Sequence, residues 1–141
     1  MQESPELRRV VEGYYAAAME GNRDWVADTL SDSDAALAIG TDPAEWWEGG
    51  STIRRMWAAQ LEAGLGGAKL EPTRLRAYEE GDVGWATDQP RMVLPNGNRV
   101  SVRISAVFPA ISPTMGFSCA SAIESVMSAL GYLLDVEAVL R

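Results

Sequence analysis

Between Pro5 and Glu20 the apolar residues Leu7, Val10, Val11, Tyr14, Tyr15, Ala18 and Met19 recur at the i, i+3, i+4, i+7 spacing of a helix with one buried face. Ser4 before Pro5 reads as an N-cap with proline at the first helical position, and Gly21-Asn22 closes the far end. Asp24 opens a short second helix to Leu30, with Trp25, Val26 and Leu30 inward, and the polar run Ser31 to Asp34 stops it. Ala35 to Ile39 is a short apolar run between turn residues and predicts a buried strand. From Gly40 to Gly50 the pattern predicts a turn, with one helical turn after Pro43. Ser51 then caps a third helix to about Ala63, on which Ile53, Met56, Trp57, Gln60 and Leu61 share a face.

After Gly64-Leu65-Gly66-Gly67 the periodicity changes. Leu70 to Glu79, Val83 to Val93, Arg99 to Phe108 and Phe117 to Met127 are extended segments separated by turn signals, and they predict four long strands. Gly81-Asp82 and Pro95-Asn96-Gly97-Asn98 are hairpin connections, so consecutive strands pair antiparallel. In the third segment Val100, Val102, Ile104, Ala106 and Phe108 alternate with Arg99, Ser101, Arg103 and Ser105, as on a sheet with one buried face. The residues from Ser128 onward carry Leu130, Leu133, Leu134 and Val139 and could form a closing helix. Helices first and an antiparallel meander afterwards define an α+β domain, expected to span 1–141 as one unit.

Charge and composition narrow the function. A net charge of −8 with twelve scattered basic residues excludes a phosphate-backbone binder, so no nucleic-acid partner is expected. No apolar run reaches the roughly 20 residues of a bilayer span, and residues 1–10 are too polar for a signal peptide, so a cytoplasmic protein without membrane association is expected. Cys119 is the single cysteine and forms no internal disulfide. The chain has no histidine, which removes histidine triads, histidine-ligated metals and imidazole acid/base steps together. No phosphate loop or metal-ligand spacing is present, so neither metal nor other cofactor is expected.

Three strings carry a resemblance: Val10-Val11-Glu12-Gly13-Tyr14-Tyr15-Ala16-Ala17 followed by Gly21-Asn22; Gly40-Thr41-Asp42-Pro43-Ala44-Glu45-Trp46-Trp47-Glu48-Gly49; and Glu80-Gly81-Asp82-Val83-Gly84-Trp85-Ala86-Thr87-Asp88. With this order of elements, residues 5 to 127 resemble the NTF2-like superfamily, in particular its SnoaL-like and ketosteroid-isomerase-like branch. The resemblance implies a cone-shaped fold, with N-terminal helices packed on a curved antiparallel sheet that encloses a pocket. It also implies that Tyr14 matches the isomerase's helix-1 tyrosine, that the aspartate base falls near Ile39 or Gly40 with Asp42 just beyond, and that the second, proton-donating acid falls near Ala106. Alanine cannot donate, so ketosteroid isomerisation by that acid pair is not expected. Relatives often pair through the outer sheet face, which implies a homodimer.

Residue chemistry offers its own candidates. Alternation places Glu124 with Ser118, Ala120, Ala122 and Val126, a row of small residues that leaves room for a ligand. Burial there would raise the proton affinity of the carboxylate and make it a general base; on the outer face it would instead be solvated, paired with Arg103. Tyr14 could donate to a developing oxyanion or simply pack. Tyr15, Trp46, Trp47, Met56, Trp57, Trp85, Ala106, Phe108 and Ala122 are the candidate pocket lining, with one of Trp46 and Trp47 closing the mouth and the other packing under the helices. Asp42 reads as a turn former, Asp88 beside Gln89-Pro90 as a surface residue at an edge or bulge, and Cys119 as a small buried residue. These features describe a cofactor-independent enzyme of isomerase, cyclase or eliminase type acting on a small apolar substrate. The alternative is a non-catalytic ligand-binding or dimerisation domain.

Overall fold

A computed structural model describes residues 1–30, 32–39 and 43–109. The predicted strand Phe117 to Met127 and the helix from Ser128 lie outside these residues, as do Asp42, Cys119, Ala122 and Glu124.

Helix α1 spans Pro5–Glu20, as the spacing predicts. Ser4 caps it, its hydroxyl accepting from Leu7 N at 3.4 Å, and Gly21 ends it with a left-handed φ of 70°. Ahead of the helix, strand β1 (Gln2–Glu3) pairs antiparallel with β5 (Arg76–Glu80), a contact two residues long and invisible to periodicity. The Ser4 hydroxyl and the Gln2 amide both bond the Glu79 carboxylate and hold its proton affinity below the ordinary range. Helix α2 is Asp24–Thr29, strand β2 is Leu37–Ile39 and helix α3 is Gly50–Ala63.

Two local expectations are corrected. Trp46–Glu48 is strand β3, paired antiparallel with β2, rather than a helical turn, so the two tryptophans point to opposite sides. The N-cap of α3 is Gly49, not Ser51. Its φ of 82° lets Gly49 N bond Ala36 O while its carbonyl accepts from Thr52 N and Ile53 N, which ties the helix start to the chain entering β2.

The long strands are also broken. Lys69–Glu71 (β4), Val83–Asp88 (β6), Arg91–Val93 (β7), Arg99–Ser101 (β8) and Ile104–Pro109 (β9) join β1 and β5 in two antiparallel ladders, ordered β1-β5-β6-β9 and β4-β7-β8. The first three predicted long strands therefore run from one ladder into the other, through Pro72 to Leu75, Gln89-Pro90 and Val102-Arg103. Two prolines fall in these breaks, where they remove ladder donors. The chain thus passes from one sheet to the other at these breaks, and the crease between the two lies there.

The face toward the helices is graded in size. Ala77, Gly84, Ala86 and Ala106 are buried and small, whereas Ile104 and Phe108 are buried and large. Leu7 of α1 lies so close to Gly84 that a Cβ there would collide with Leu7 Cδ1 and stand 3.3 Å from the Tyr78 carbonyl oxygen. The opposite face carries Tyr78 and Trp85, whose rings lie 6.1 Å apart, with exposed Val83 and Val107 beside them. No helix among the described residues is long and apolar enough to cross a membrane. Replacement of Gly84 by Ala overpacks the α1–sheet contact and is expected to lower stability by about 1–3 kcal/mol, read as a fall in the urea midpoint at unchanged slope.

Candidate functional site

A cleft lies between the middle of α1 and β9. Val10, Val11 and Tyr14 form its helical wall, Ile104, Ala106 and Phe108 its sheet wall, and Trp25 and Leu30 its end around α2. The cleft is narrow and measures about 310 Å³ including the solvent in its open mouth. Among the described residues no charged side chain lines it. Walls of this kind exclude water and suit an uncharged, apolar occupant.

Tyr14 carries the one hydroxyl among these lining residues, although the surface it presents to the cleft is apolar. Its ring meets Trp57 edge-on at 5.2 Å and lies 5.7 Å from Trp25 and 5.9 Å from Tyr15. Burial alone pushes its hydroxyl well above the ordinary tyrosine range, so it is a neutral donor at physiological pH. Among the described residues the buried Trp57 indole N–H meets no hydrogen-bond acceptor. Trp25 is held over Gly13, where a Cβ would stand 3.1 Å from its indole nitrogen. That helical glycine leaves the space the indole fills.

The other predicted site residues divide. Ala106 and Phe108 line the cleft with Tyr14, whereas Trp57 stands behind Tyr14. Met56 is half-buried and packs on the core outside the cleft. Trp47 packs against the core opposite Ala38, while Trp46 is 56% exposed and its indole donates to Glu48 at 2.9 Å, so neither closes the mouth. Trp85 faces away from the helices, because strand alternation gives the inner positions of β6 to Gly84, Ala86 and Asp88. Val10, Val11, Trp25, Leu30 and Ile104 line the cleft without having been predicted to. The spacing that selects Tyr14 and Ala106 could have found Val10, Val11 and Ile104. Trp25 and Leu30 depend on where α2 docks.

Asp88 is the largest correction. Expected at the surface, it is only 4% exposed and accepts four hydrogen bonds: from Tyr15 Oη at 2.9 Å, Arg74 N at 2.7 Å, Gln89 N at 2.7 Å and Thr73 N at 3.4 Å. Thr73 Oγ1 also donates to the Gln89 carbonyl across the same break. Tyr15 is therefore tied to the crease and lies outside the cleft lining; burial first, then the Asp88 charge and hydrogen bond, push its hydroxyl far up. A carboxylate so fully engaged is a structural acceptor rather than a free base. No group of three or more Cys, Asp or Glu that could hold a metal ion occurs among the described residues.

The family model for a SnoaL-like domain matches residues 7–114, most of the 141-residue chain. The chain belongs to the SnoaL-like family. No protein of curated function matches this SnoaL-like chain in sequence. Solved structures share its fold: an NTF2-like protein of unknown function from Pseudomonas putida KT2440, 15% identical, covers 85% of this chain and 82% of its own at a TM-score of 0.68. A provisionally assigned dehydratase of the NTF2-like family from Streptomyces avermitilis is 16% identical over 85% of this chain and 91% of its own, with a TM-score of 0.65. A provisionally assigned ketosteroid isomerase from Shewanella frigidimarina is 14% identical over 83% and 91%, also at 0.65. These likenesses establish the NTF2-like α+β fold for the SnoaL-like chain, which the strings around Tyr14, Trp46 and Trp85 imply.

Because both buried hydroxyls have proton affinities raised above the unfolded value of 10.0, the stability they confer is complete below pH 10 and is lost as the pH rises beyond it. Alkaline titration is expected to show phenolate absorbance from Tyr14 and Tyr15 only together with loss of the helical circular dichroism. Ionisation of both in a chain with a native spectrum would contradict their placement.

Proposed function

We propose that this SnoaL-like chain binds a small, uncharged, largely apolar molecule in the cleft between α1 and β9, with the Tyr14 hydroxyl donating to an oxygen of that molecule. The observation that carries this reading is a cleft with apolar, uncharged lining whose helical wall includes the ring of Tyr14, a residue with a neutral buried hydroxyl. An ionised ligand would be desolvated there without a partner, whereas a ketone or alcohol leaves its carbon skeleton against apolar walls. The pair 2-acetylnaphthalene and 2-ethylnaphthalene separates the two contributions, since only the first carries an acceptor. The wild type is expected to prefer the ketone, and Tyr14→Phe to weaken ketone binding about fivefold, the effect of one hydrogen bond near 1 kcal/mol, while leaving the hydrocarbon unchanged. Equal binding of both probes by the wild type would remove the donor role of Tyr14.

A second reading adds catalysis, favoured by the provisional dehydratase and isomerase assignments of two fold neighbours. In it Glu124 is the general base that moves a proton on the bound substrate, without a cofactor. The saturation of Asp88 supports the choice of a different carboxylate. Exchange of α-protons of neutral ketones with D2O is expected in the wild type and is expected to fall by about 100-fold or more in Glu124→Gln. Exchange at the wild-type rate in that variant would eliminate Glu124 as the base, and no exchange in the wild type would leave the chain a binding domain. For assembly, the strip of Trp85, Val83 and Val107 on the outer sheet face supports pairing of two copies.

A further inference from the structure

The hydrogen bonds around Asp88 connect the crease of the sheet to the wall of the cleft. Three of its donors, Thr73 N, Arg74 N and Gln89 N, belong to backbone in the breaks between the ladders, and the fourth is the hydroxyl of Tyr15 on α1. The remaining ties between α1 and the sheet cluster at the helix N-terminus: Ser4 N to Ala77 O at 3.0 Å, Arg8 Nη2 to Leu75 O at 2.9 Å, and Leu7 against Gly84. Further along, among the described residues, a weak contact of Leu70 N with the Met19 sulfur at 3.4 Å accompanies the Tyr15–Asp88 bond. The N-terminal ties hold the start of the helix, and the Tyr15–Asp88 bond adds a directional tie to the packing of Val11, Tyr14, Ala17 and Ala18 in its later turns.

Tyr14 and Tyr15 are successive residues and project about 100° apart around the axis. A roll that moved Tyr15 off Asp88 would swing the Tyr14 hydroxyl by about an ångström or more, enough to lose a directional hydrogen bond. We propose that Asp88 is a positioning residue for the cleft: by gripping both the sheet crease and the Tyr15 hydroxyl, it sets the direction in which Tyr14 presents its own hydroxyl. The proposal rests on the cleft reading above for its functional meaning, but its geometric content stands on ligand-free measurements.

Tyr15→Phe deletes the link and keeps both the ring and the three backbone bonds of Asp88; Asp88→Asn weakens the grip from the other side. Tyr14 lies edge-on to Trp57, so its ring protons report orientation through ring-current shifts in the free protein. Both variants are expected to move the Tyr14 ring resonances and to reduce the preference for 2-acetylnaphthalene over 2-ethylnaphthalene toward that of Tyr14→Phe. Leu65→Ala, a core truncation remote from the cleft, is expected to lower the melting temperature without moving either readout. Unchanged Tyr14 resonances in a folded Tyr15→Phe protein overturn the proposal, and if that variant does not fold, Asp88→Asn decides in the same way. Loss of probe preference in the wild type would instead count against the cleft reading, while the resonances still judge the positioning.

Discussion

The four hydrogen bonds on the Asp88 carboxylate are the interaction around which the described structure is arranged. A sheet that bends sharply must interrupt its ladders, and each interruption strands backbone donors that are costly to bury unpaired. Asp88 collects three of these and adds the hydroxyl of a helical tyrosine. Carboxylates are rarely buried without a cation, yet convergent backbone N–H groups supply the compensating partial charge here. Curvature of the sheet and docking of the helix are thus joined at one side chain.

Residue size along the sheet then decides where the interior is filled and where it opens. Gly84, Ala77 and Ala86 let the first turns of α1 approach until Leu7 touches the strand backbone. On the neighbouring strand the bulkier Phe108, paired with Gly84, and Ile104 line the cleft with Val10, Val11 and Tyr14.

Chemistry within the cleft is sparse. The ring of Tyr14 lines an apolar cleft and its hydroxyl is buried and neutral, the buried Trp57 N–H meets no acceptor among the described residues, and the Asp88 carboxylate is engaged outside the cleft. Because a fold shared at 14–16% identity does not carry a reaction, the SnoaL-like assignment leaves the substrate to these side chains.

The sequence alone determined α1, its Ser4 cap, the Gly81-Asp82 and Pro95 to Asn98 turns, and the buried alternation of Val102, Ile104, Ala106 and Phe108, whereas Val100, expected on the same face, is exposed. Each follows from local spacing or turn chemistry, which neighbours in the chain impose. The family strings around Tyr14 and Trp46 added the superfamily. Tertiary structure decided what depends on partners distant in sequence: the strand at Trp46 to Glu48, fixed by pairing with Leu37 to Ile39; the outward Trp85; and the breaks in the long strands. Asp88 is the clearest case. Its sequence context, next to Gln89-Pro90, reads as a surface bulge. Its burial follows only once Tyr15, 73 residues away, and the backbone at Thr73 and Arg74 converge on it, because a carboxylate is stable inside only where enough donors meet.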